Sequence, residues 1–221
     1  SDEIIKLLTT EKNKDIQNID GNTPLQLAIR KKLSDEIIKL LISDKNKNFQ
    51  DKDGNTPLHY LPIEIIKLLI TEKNKDIQNK DGTPLYYAVI NNLPIEIIKL
   101  LITDKNINYN KNLDYAVKNK LSDEIIKLLI TNVNKDILDK DILDKDGNTL
   151  LYYAVTNKLS DEIIKLLISP NNKDIKDKDD KTPLYFAVVN KLSEEMIKLL
   201  ITENNKDMFD KDKNTPLMYA L

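Results

Sequence analysis

Residues 53–60 read Asp53-Gly54-Asn55-Thr56-Pro57-Leu58-His59-Tyr60, and this stretch decides the fold. Proline has no N–H to donate, so it sits well at the first position of a helix, and a threonine before it can cap that helix through its side chain. Gly-Asn-Thr-Pro-Leu therefore reads as a turn that enters a short helix. The block stands also at 21–25, and in altered form as GTPL at 82–85, GNTLL at 147–151, KTPL at 181–184 and NTPL at 214–217. Thr23 to Thr56, Thr149 to Thr182 and Thr182 to Thr215 are each separated by 33 residues.

A second block alternates with the first. Asp-Glu-Ile-Ile-Lys-Leu-Leu occupies 2–8, 35–41, 123–129 and 161–167, with variants at 63–70, 95–102 and 194–201. Ile37, Leu40 and Leu41 fall at i, i+3 and i+4, with Ile38 and Ile42 widening the stripe, as an amphipathic helix requires. Ser34, Ser122, Ser160 and Ser193 precede it as N-caps, followed by acids that suit the helix dipole. Pro62 and Pro94 take the matching place and are expected in the first turn. Lys39 lies outside the stripe, four residues after Asp35, in the order that favours an ion pair within one helix. The same lysine recurs at 6, 67, 99, 127, 165 and 198. That row reads either as a solvated face or as a basic docking strip.

A 33-residue period carrying Thr-Pro-Leu-His is the signature of one repeat architecture, and from end to end the chain resembles an ankyrin array. The resemblance implies an all-α solenoid of stacked antiparallel helix pairs with projecting β-hairpin-like loops. It implies binding of other proteins and brings no catalytic residues. Small residues at Ala28, Ala88, Ala116, Ala154, Ala187 and Ala220 would let the paired helix approach. Asn91, Asn119, Asn157 and Asn190 stand where the family usually has glycine, and asparagine suits a left-handed cap. Residues 1–221 read as a single array of about seven repeats that begins and ends mid-repeat, as a slice of a longer protein would.

Three spacings depart from 33: Thr56 to Thr83 is 27, Leu85 to Leu113 is 28 and Leu113 to Leu151 is 38. The first two remove more than a helical turn and should mark weak points. The third arises because 136–140 (DILDK) is repeated at 141–145. The duplication lengthens a loop that would carry Ile142 and Leu143 outward, either as a tolerated insertion or as a contact for a partner.

Composition narrows the chemistry. Lys and Arg number 34 against 36 Asp and Glu, a net charge of −2, without the basic surplus that nucleic-acid binding uses. Cysteine is absent, so disulfide and thiolate chemistry is excluded. No apolar run approaches the roughly 20 residues that span a bilayer, and no signal-peptide pattern opens the sequence; a reducing cytoplasm is expected, or a host cytosol if the protein is a delivered effector. Asp-x-Asp-Gly at 51–54 and 144–147 resembles the start of a calcium loop. Glycine, however, is fourth and not sixth, and the twelfth position holds Pro62 or Val155, so calcium is rejected. The lone His59 has no recurring acid or nucleophile beside it and reads as structural. Cofactors, metals and small-molecule substrates are not expected, nor is enzyme activity.

Two columns of the first helix differ in character. Tyr60, Tyr87, Tyr115, Tyr153, Phe186 and Tyr219 share a slot where the family usually buries an aliphatic, so core packing is expected. One residue earlier the slot varies, and Tyr86, Tyr152 and Tyr185 there read either as packing or as an exposed aromatic row for a partner. By resemblance, partners lie against loop tips and first helices. The matching positions are Lys52, Asp53, Asn55, Lys80, Asp81, Lys178, Asp179, Lys181, Lys211 and Lys213 on the loops, with Arg30, Ile90, Lys118 and Thr156 on the helices. The expected function is a scaffold that binds another protein; the alternatives are a targeting arm of a larger enzyme, toxin or effector, and a passive spacer.

Overall fold

The structure is a computed structural model that describes residues 1–106, 111–133 and 143–221. Among the described residues every regular element is helical. Two compact units divide the chain, Ser1–Ile107 and Asn108–Leu221.

In the first unit, α1 (Asp2–Leu8) is a second helix standing beside α3 (Asp35–Leu41), and α2 (Pro24–Arg30) pairs with α3. The short repeat follows: a single 3₁₀ turn, Pro57–Tyr60, and a second helix that begins as a 3₁₀ turn at Ile63–Ile65 and continues as α4 (Ile66–Leu69). Then α5 (Pro84–Ile90) pairs with α6 (Ile95–Leu101). The second unit repeats the arrangement with α7 (Lys111–Lys118) on α8 (Asp123–Asn132), α9 (Leu150–Thr156) on α10 (Asp161–Leu167), α11 (Pro183–Val189) on α12 (Glu194–Leu200), and α13 (Pro216–Ala220) at the end. Within the second unit the first helices α7, α9, α11 and α13 lie side by side in one layer and the second helices α8, α10 and α12 in the other.

Local chemistry places these elements. Thr23 accepts the N–H of Gln26 while the Gln26 side chain accepts the N–H of Thr23, a capping box, and Pro24 fills the first helical position. Ser122, Ser160 and Ser193 cap α8, α10 and α12. Pro62 and Pro94 stand one place earlier than expected, at the cap position itself. The truncated repeat keeps its core, because Leu58, Ile65, Ile66 and Leu69 are all fully buried, each contributing roughly 1.5–3 kcal/mol. Its tight return is made by Leu61 in the left-handed region, at φ 47°.

Three expectations are corrected. The buried stripe of the second helix is i, i+1, i+4: Ile37, Ile38 and Leu41 are buried, while Leu40 and its equivalents Leu68, Leu100, Leu166 and Leu199 are exposed. At three of its seven copies the recurring lysine reaches across to the next repeat instead of back along its helix. Lys6 pairs with Glu36 at 2.6 Å, Lys165 with Glu195 at 2.7 Å, and Lys127 with Glu162. Lys198 pairs within its own helix, with Glu194. Exposed pairs of this kind contribute at most about 1 kcal/mol each.

The third correction concerns the end of the first helix. Asn91, Asn157 and Asn190 are not left-handed; the following residue is, at Asn92, Lys120, Lys158 and Lys191, and likewise at Lys32. Lys158 N–H donates to Val155 O and Leu159 N–H to Ala154 O, the paired bonds of a Schellman cap, and the other four copies share them. The asparagines serve otherwise: Asn91 Nδ2 donates to Tyr87 O, and Asn157 Nδ2 crosses to Val117 O and Lys118 O. A left-handed lysine costs roughly 1–2 kcal/mol, part of which glycine would return through the entropy of the unfolded chain. Lys158→Gly should therefore stabilise the second unit by about 0.5–1 kcal/mol, read as a higher urea midpoint with an unchanged slope; a lower midpoint would contradict the cap.

Candidate partner-binding face

Each projecting loop is built on one side chain. Asp51 Oδ1 accepts the N–H groups of Asp53 and Asn55, which closes the turn, and Gly54 completes it at φ 84°. Asp144, Asp177 and Asp210 repeat the pattern, and Asn18 and Asn79 perform it with an amide oxygen. At the tip, Gly21 and Gly147 match Gly54, while Asp180 and Lys213 adopt the same left-handed φ without glycine.

The second oxygen ties the loop to its helix. Tyr60 Oη donates to Asp51 Oδ2 at 2.7 Å, Tyr153 to Asp144 at 2.6 Å and Tyr219 to Asp210 at 2.7 Å, in every case nine residues apart. Tyr87 donates to Asp81 at 3.2 Å and accepts from Asn79 Nδ2 at 2.8 Å. The column is thus half-buried, with the hydroxyls of Tyr60, Tyr87, Tyr153 and Tyr219 holding loops, and is not the aliphatic core slot expected. Burial alone would raise Asp144, but the hydrogen bonds from Tyr153, Asn148 and Lys118 outweigh it and bring it down to about 2. Asp51 is lowered by the same balance, with Tyr60 as its chief donor. The hydrogen bond to Asp210 raises the Tyr219 phenol to about 12.

The variable column is engaged in ring packing. In the second unit, Tyr153, Tyr152, Phe186, Tyr185 and Tyr219 form a continuous edge-to-face series with centroids 4.6–5.1 Å apart. Tyr86 meets Tyr87 edge-on at 5.9 Å in the first unit. Tyr86, Tyr152 and Tyr185 are half-buried. Edge-to-face pairs contribute about 0.5–1.5 kcal/mol each beyond burial.

Other expected contact residues divide by exposure. Lys52, Asp53, Lys80, Asp81, Lys178, Lys211 and Lys213 are exposed at the tips, as is Leu143, while Ile142 lies outside the described residues. Neighbouring tips alternate in charge: Lys52 with Asp20 at 3.8 Å, Lys80 with Asp53 at 3.5 Å, Lys211 with Asp179 at 3.7 Å. Lys181 lies 4.9 Å over the Tyr185 ring and Lys213 4.2 Å over Phe209. Asn55 is occupied between loops, accepting from Asn79 and donating to Asp51. Lys118 pairs with Asp114 of its own helix at 2.9 Å and with Asp144, the anchor of the next repeat's loop, at 3.1 Å. Thr156 donates to Tyr152 O, and Ile90 is half-buried. Arg30 is exposed and donates to Asn22.

One constellation went unread in the sequence. At Ser43-x-x-Asn46, Thr71-x-x-Asn74, Thr103-x-x-Asn106, Ser169-x-x-Asn172 and Thr202-x-x-Asn205 the asparagine is buried. Asn46 Nδ2 donates to Leu41 O at 2.8 Å and to Lys14 O, in the preceding repeat, at 3.1 Å. Asn74, Asn106 and Asn205 reach Lys47 O, Lys75 O and Lys173 O in the same way. Recurrence of an asparagine five residues after the last leucine of each second helix was the signal.

His59 occupies the slot of Gln26. Gln26 accepts from Thr23 N–H and donates to Phe49 O and Asn55 O of the next repeat. His59 Nδ1 accepts from Thr56 N–H at 3.0 Å, while its buried Nε2 has no hydrogen-bond partner among the described residues. Burial dominates and lowers its pKa to about 4. The imidazole is neutral and structural.

The unfolded chain binds this proton near pH 6.5 and the folded chain near 4, so stability is full above pH 6.5 and declines as pH falls through that window. At about 1.4 kcal/mol per unit the loss amounts to roughly 3 kcal/mol by pH 4. His59→Gln, which copies Gln26, should flatten the stability profile between pH 6.5 and 4 in denaturant titrations; an unchanged slope would contradict the assignment.

The fold and the anchored loops define a repeat protein of the ankyrin class. The chain belongs to that family: the description "Ankyrin repeats (3 copies)" matches residues 1–81 and 151–221. Among solved structures it is similar to the ankyrin repeat domain of Bcl-3, described as a unique member of the IkappaB protein family. That likeness has 21% identity, covers 91% of this chain and 95% of that one, and gives a TM-score of 0.60. It shows the fold. No curated protein matches the sequence. Ankyrin repeats are in general protein–protein interaction modules. Among the described residues, no helix is long and apolar enough to cross a membrane.

Proposed function

We propose that residues 1–221 act as one ankyrin array that binds a partner protein against its loop tips and first helices, the concave face in this family, without catalysis of its own. The carrying observation is the carboxylate-anchored loop. Asp51, Asp144 and Asp210 each hold two backbone N–H groups and a tyrosine hydroxyl. A tip fixed in this way loses little entropy on binding. Lys52 and Lys211 project from such tips, and Lys80 and Lys178 from tips that Asn79 and Asp177 close with two backbone N–H groups, beside Asp53 and Asp179. The signs alternate, which favours a protein surface of mixed polar contacts over nucleic acid or a charged membrane. Absence of cysteine supports a cytoplasmic setting.

Affinity purification with mass spectrometry from the source cells tests this reading. Reversing Lys52 and Lys80, or Lys178 and Lys211, to glutamate should cut recovery of the partner several-fold while circular dichroism and melting stay unchanged. Undiminished recovery from both variants would contradict it.

A further inference from the structure

A full first helix runs seven residues, as α2 and α5 do, whereas the one between them stops after four, at Tyr60. That short turn packs on both neighbours. Where the α5 repeat continues with residues 88–92, the chain here turns back at once through Leu61, at φ 47°, and Pro62. The ends of α2 and α5 are left without the helical turn that would lie between them. The first-helix layer of the first unit therefore carries a notch.

Side chains that join first helices elsewhere are missing on both sides of it. In the second unit Asn157 Nδ2 donates to Val117 O and Lys118 O at 3.1 Å, and Asn190 Nδ2 to Val155 O at 3.2 Å, each crossing to the end of the preceding first helix. The short repeat has no such asparagine to reach Ile29 O and Arg30 O. Asn91, on the far side, folds back onto Tyr87 O of its own helix at 2.8 Å. Charge collects on the α2 side: Arg30-Lys31-Lys32 is the one run of three basic residues in the chain, and all three are exposed. At the position of Arg30 in the second unit, Lys118 is neutralised by Asp114 and Asp144. Gln26 stands where Asp114 does, and among the described residues no carboxylate pairs with Arg30, whose Nη1 donates to Asn22 Oδ1 at 3.3 Å. Most of its N–H donors are left without a protein acceptor. Its charge acts on the Tyr60 phenol at the edge of the notch.

We propose that this notch takes an acidic segment of a partner protein, with one carboxylate held by the Arg30 guanidinium and the adjoining chain lying where the missing turn would be. A planar guanidinium matches a carboxylate through two parallel hydrogen bonds, which a lysine cannot reproduce. Nucleic acid fits less well, because its affinity comes from neutralising many phosphates along an extended basic surface. The proposal rests on the first helices forming the binding face and adds the chemistry that face selects. Only one repeat is cut short in this way within the first unit, so the notch fixes where along the array the acidic segment enters.

Amide chemical shifts of the 221-residue chain, titrated at low salt with an oligoglutamate peptide, test the proposal, with oligolysine and single-stranded oligothymidylate as comparison probes. The glutamate peptide should move Arg30–Lys32 and Leu61 and saturate, oligolysine should not, and the oligonucleotide should bind more weakly. Arg30→Gln with Lys31→Gln, both at exposed positions, should weaken the glutamate peptide several-fold. A copy of residues 88–92 inserted between Tyr60 and Leu61 should fill the notch and abolish these shifts although all three cations remain. Circular dichroism checks that the filled variant folds, and where it does not the double variant decides. Shifts spread evenly over the surface lysines, matching shifts with oligolysine, equal affinity in the double variant, undiminished binding to a folded filled variant, or tighter binding of the oligonucleotide would overturn the proposal. Lys52→Glu with Lys80→Glu should keep the peptide, so failure of the loop-tip reading and failure of the notch are seen separately.

Discussion

A side-chain amide that serves two repeats at once holds the stack together. Asn46 closes the turn after α3 by accepting Ser43 N–H, and its Nδ2 bridges Leu41 O of its own repeat to Lys14 O of the one before. Those carbonyls stand at element ends, where no helical partner exists for them. Leaving one of them buried and unpaired costs about 1–3 kcal/mol. The hydroxyl ahead of the asparagine adds a second link, as Thr202 does to Asp174 and Thr71 to Asn48. A single repeat cannot satisfy these groups, and for the same reason it cannot cover Ile37, Ile38 and Leu41 by itself. Nearest-neighbour dependence of this kind is the physical content of a solenoid.

Division of labour within the repeat follows. Second helices and their asparagine turns carry the joints, and their sequence barely changes from copy to copy. Loops are fastened separately, through an acid and a tyrosine nine residues apart, so their tips can vary in charge without disturbing the stack. The first-helix column of Gln26, His59, Tyr86, Tyr152 and Tyr185 lies between the two regimes. Gln26 reaches a carbonyl of the next repeat, whereas His59, Tyr152 and Tyr185 pack on the next repeat's ring.

Much of this was legible in the sequence, because helix starts are local chemistry: Thr23-Pro24, Ser122 and Ser160 cap the helices where their residue types require. What escaped was non-local. Lys6 to Glu36 spans 30 residues and looks like nothing on a helical wheel. Leu40 satisfies the periodicity of an amphipathic helix, yet a two-turn helix buries only the edge its neighbours touch. Tyr60 was read as core because the family places an aliphatic there; its hydroxyl is drawn to Asp51, which a hydropathy pattern does not weigh. The left-handed cap fell at Lys158 and not Asn157 because the Schellman bonds count from Ala154. The buried asparagines stand at a constant five residues after the last leucine of each second helix, a local offset that the repeat spacing of the Thr-Pro-Leu block does not bring out. Among the proposed contact residues, the tips at Lys52, Lys80, Lys178 and Lys211 are exposed as their position implied, whereas Asn55 and Lys118 are engaged within the molecule.

The shared amide is tested most directly by amide hydrogen exchange on Asn46→Ala. The account predicts faster exchange in two places at once: the turn after α3, and the Lys14–Ile16 turn of the preceding repeat, whose Lys14 carbonyl accepts from Asn46 Nδ2. The accompanying loss of stability should be on the order of 3 kcal/mol. Loosening confined to residues 41–48, with Lys14–Ile16 exchanging as before, would show that each repeat closes its own turn and that neighbours are held by apolar contact alone.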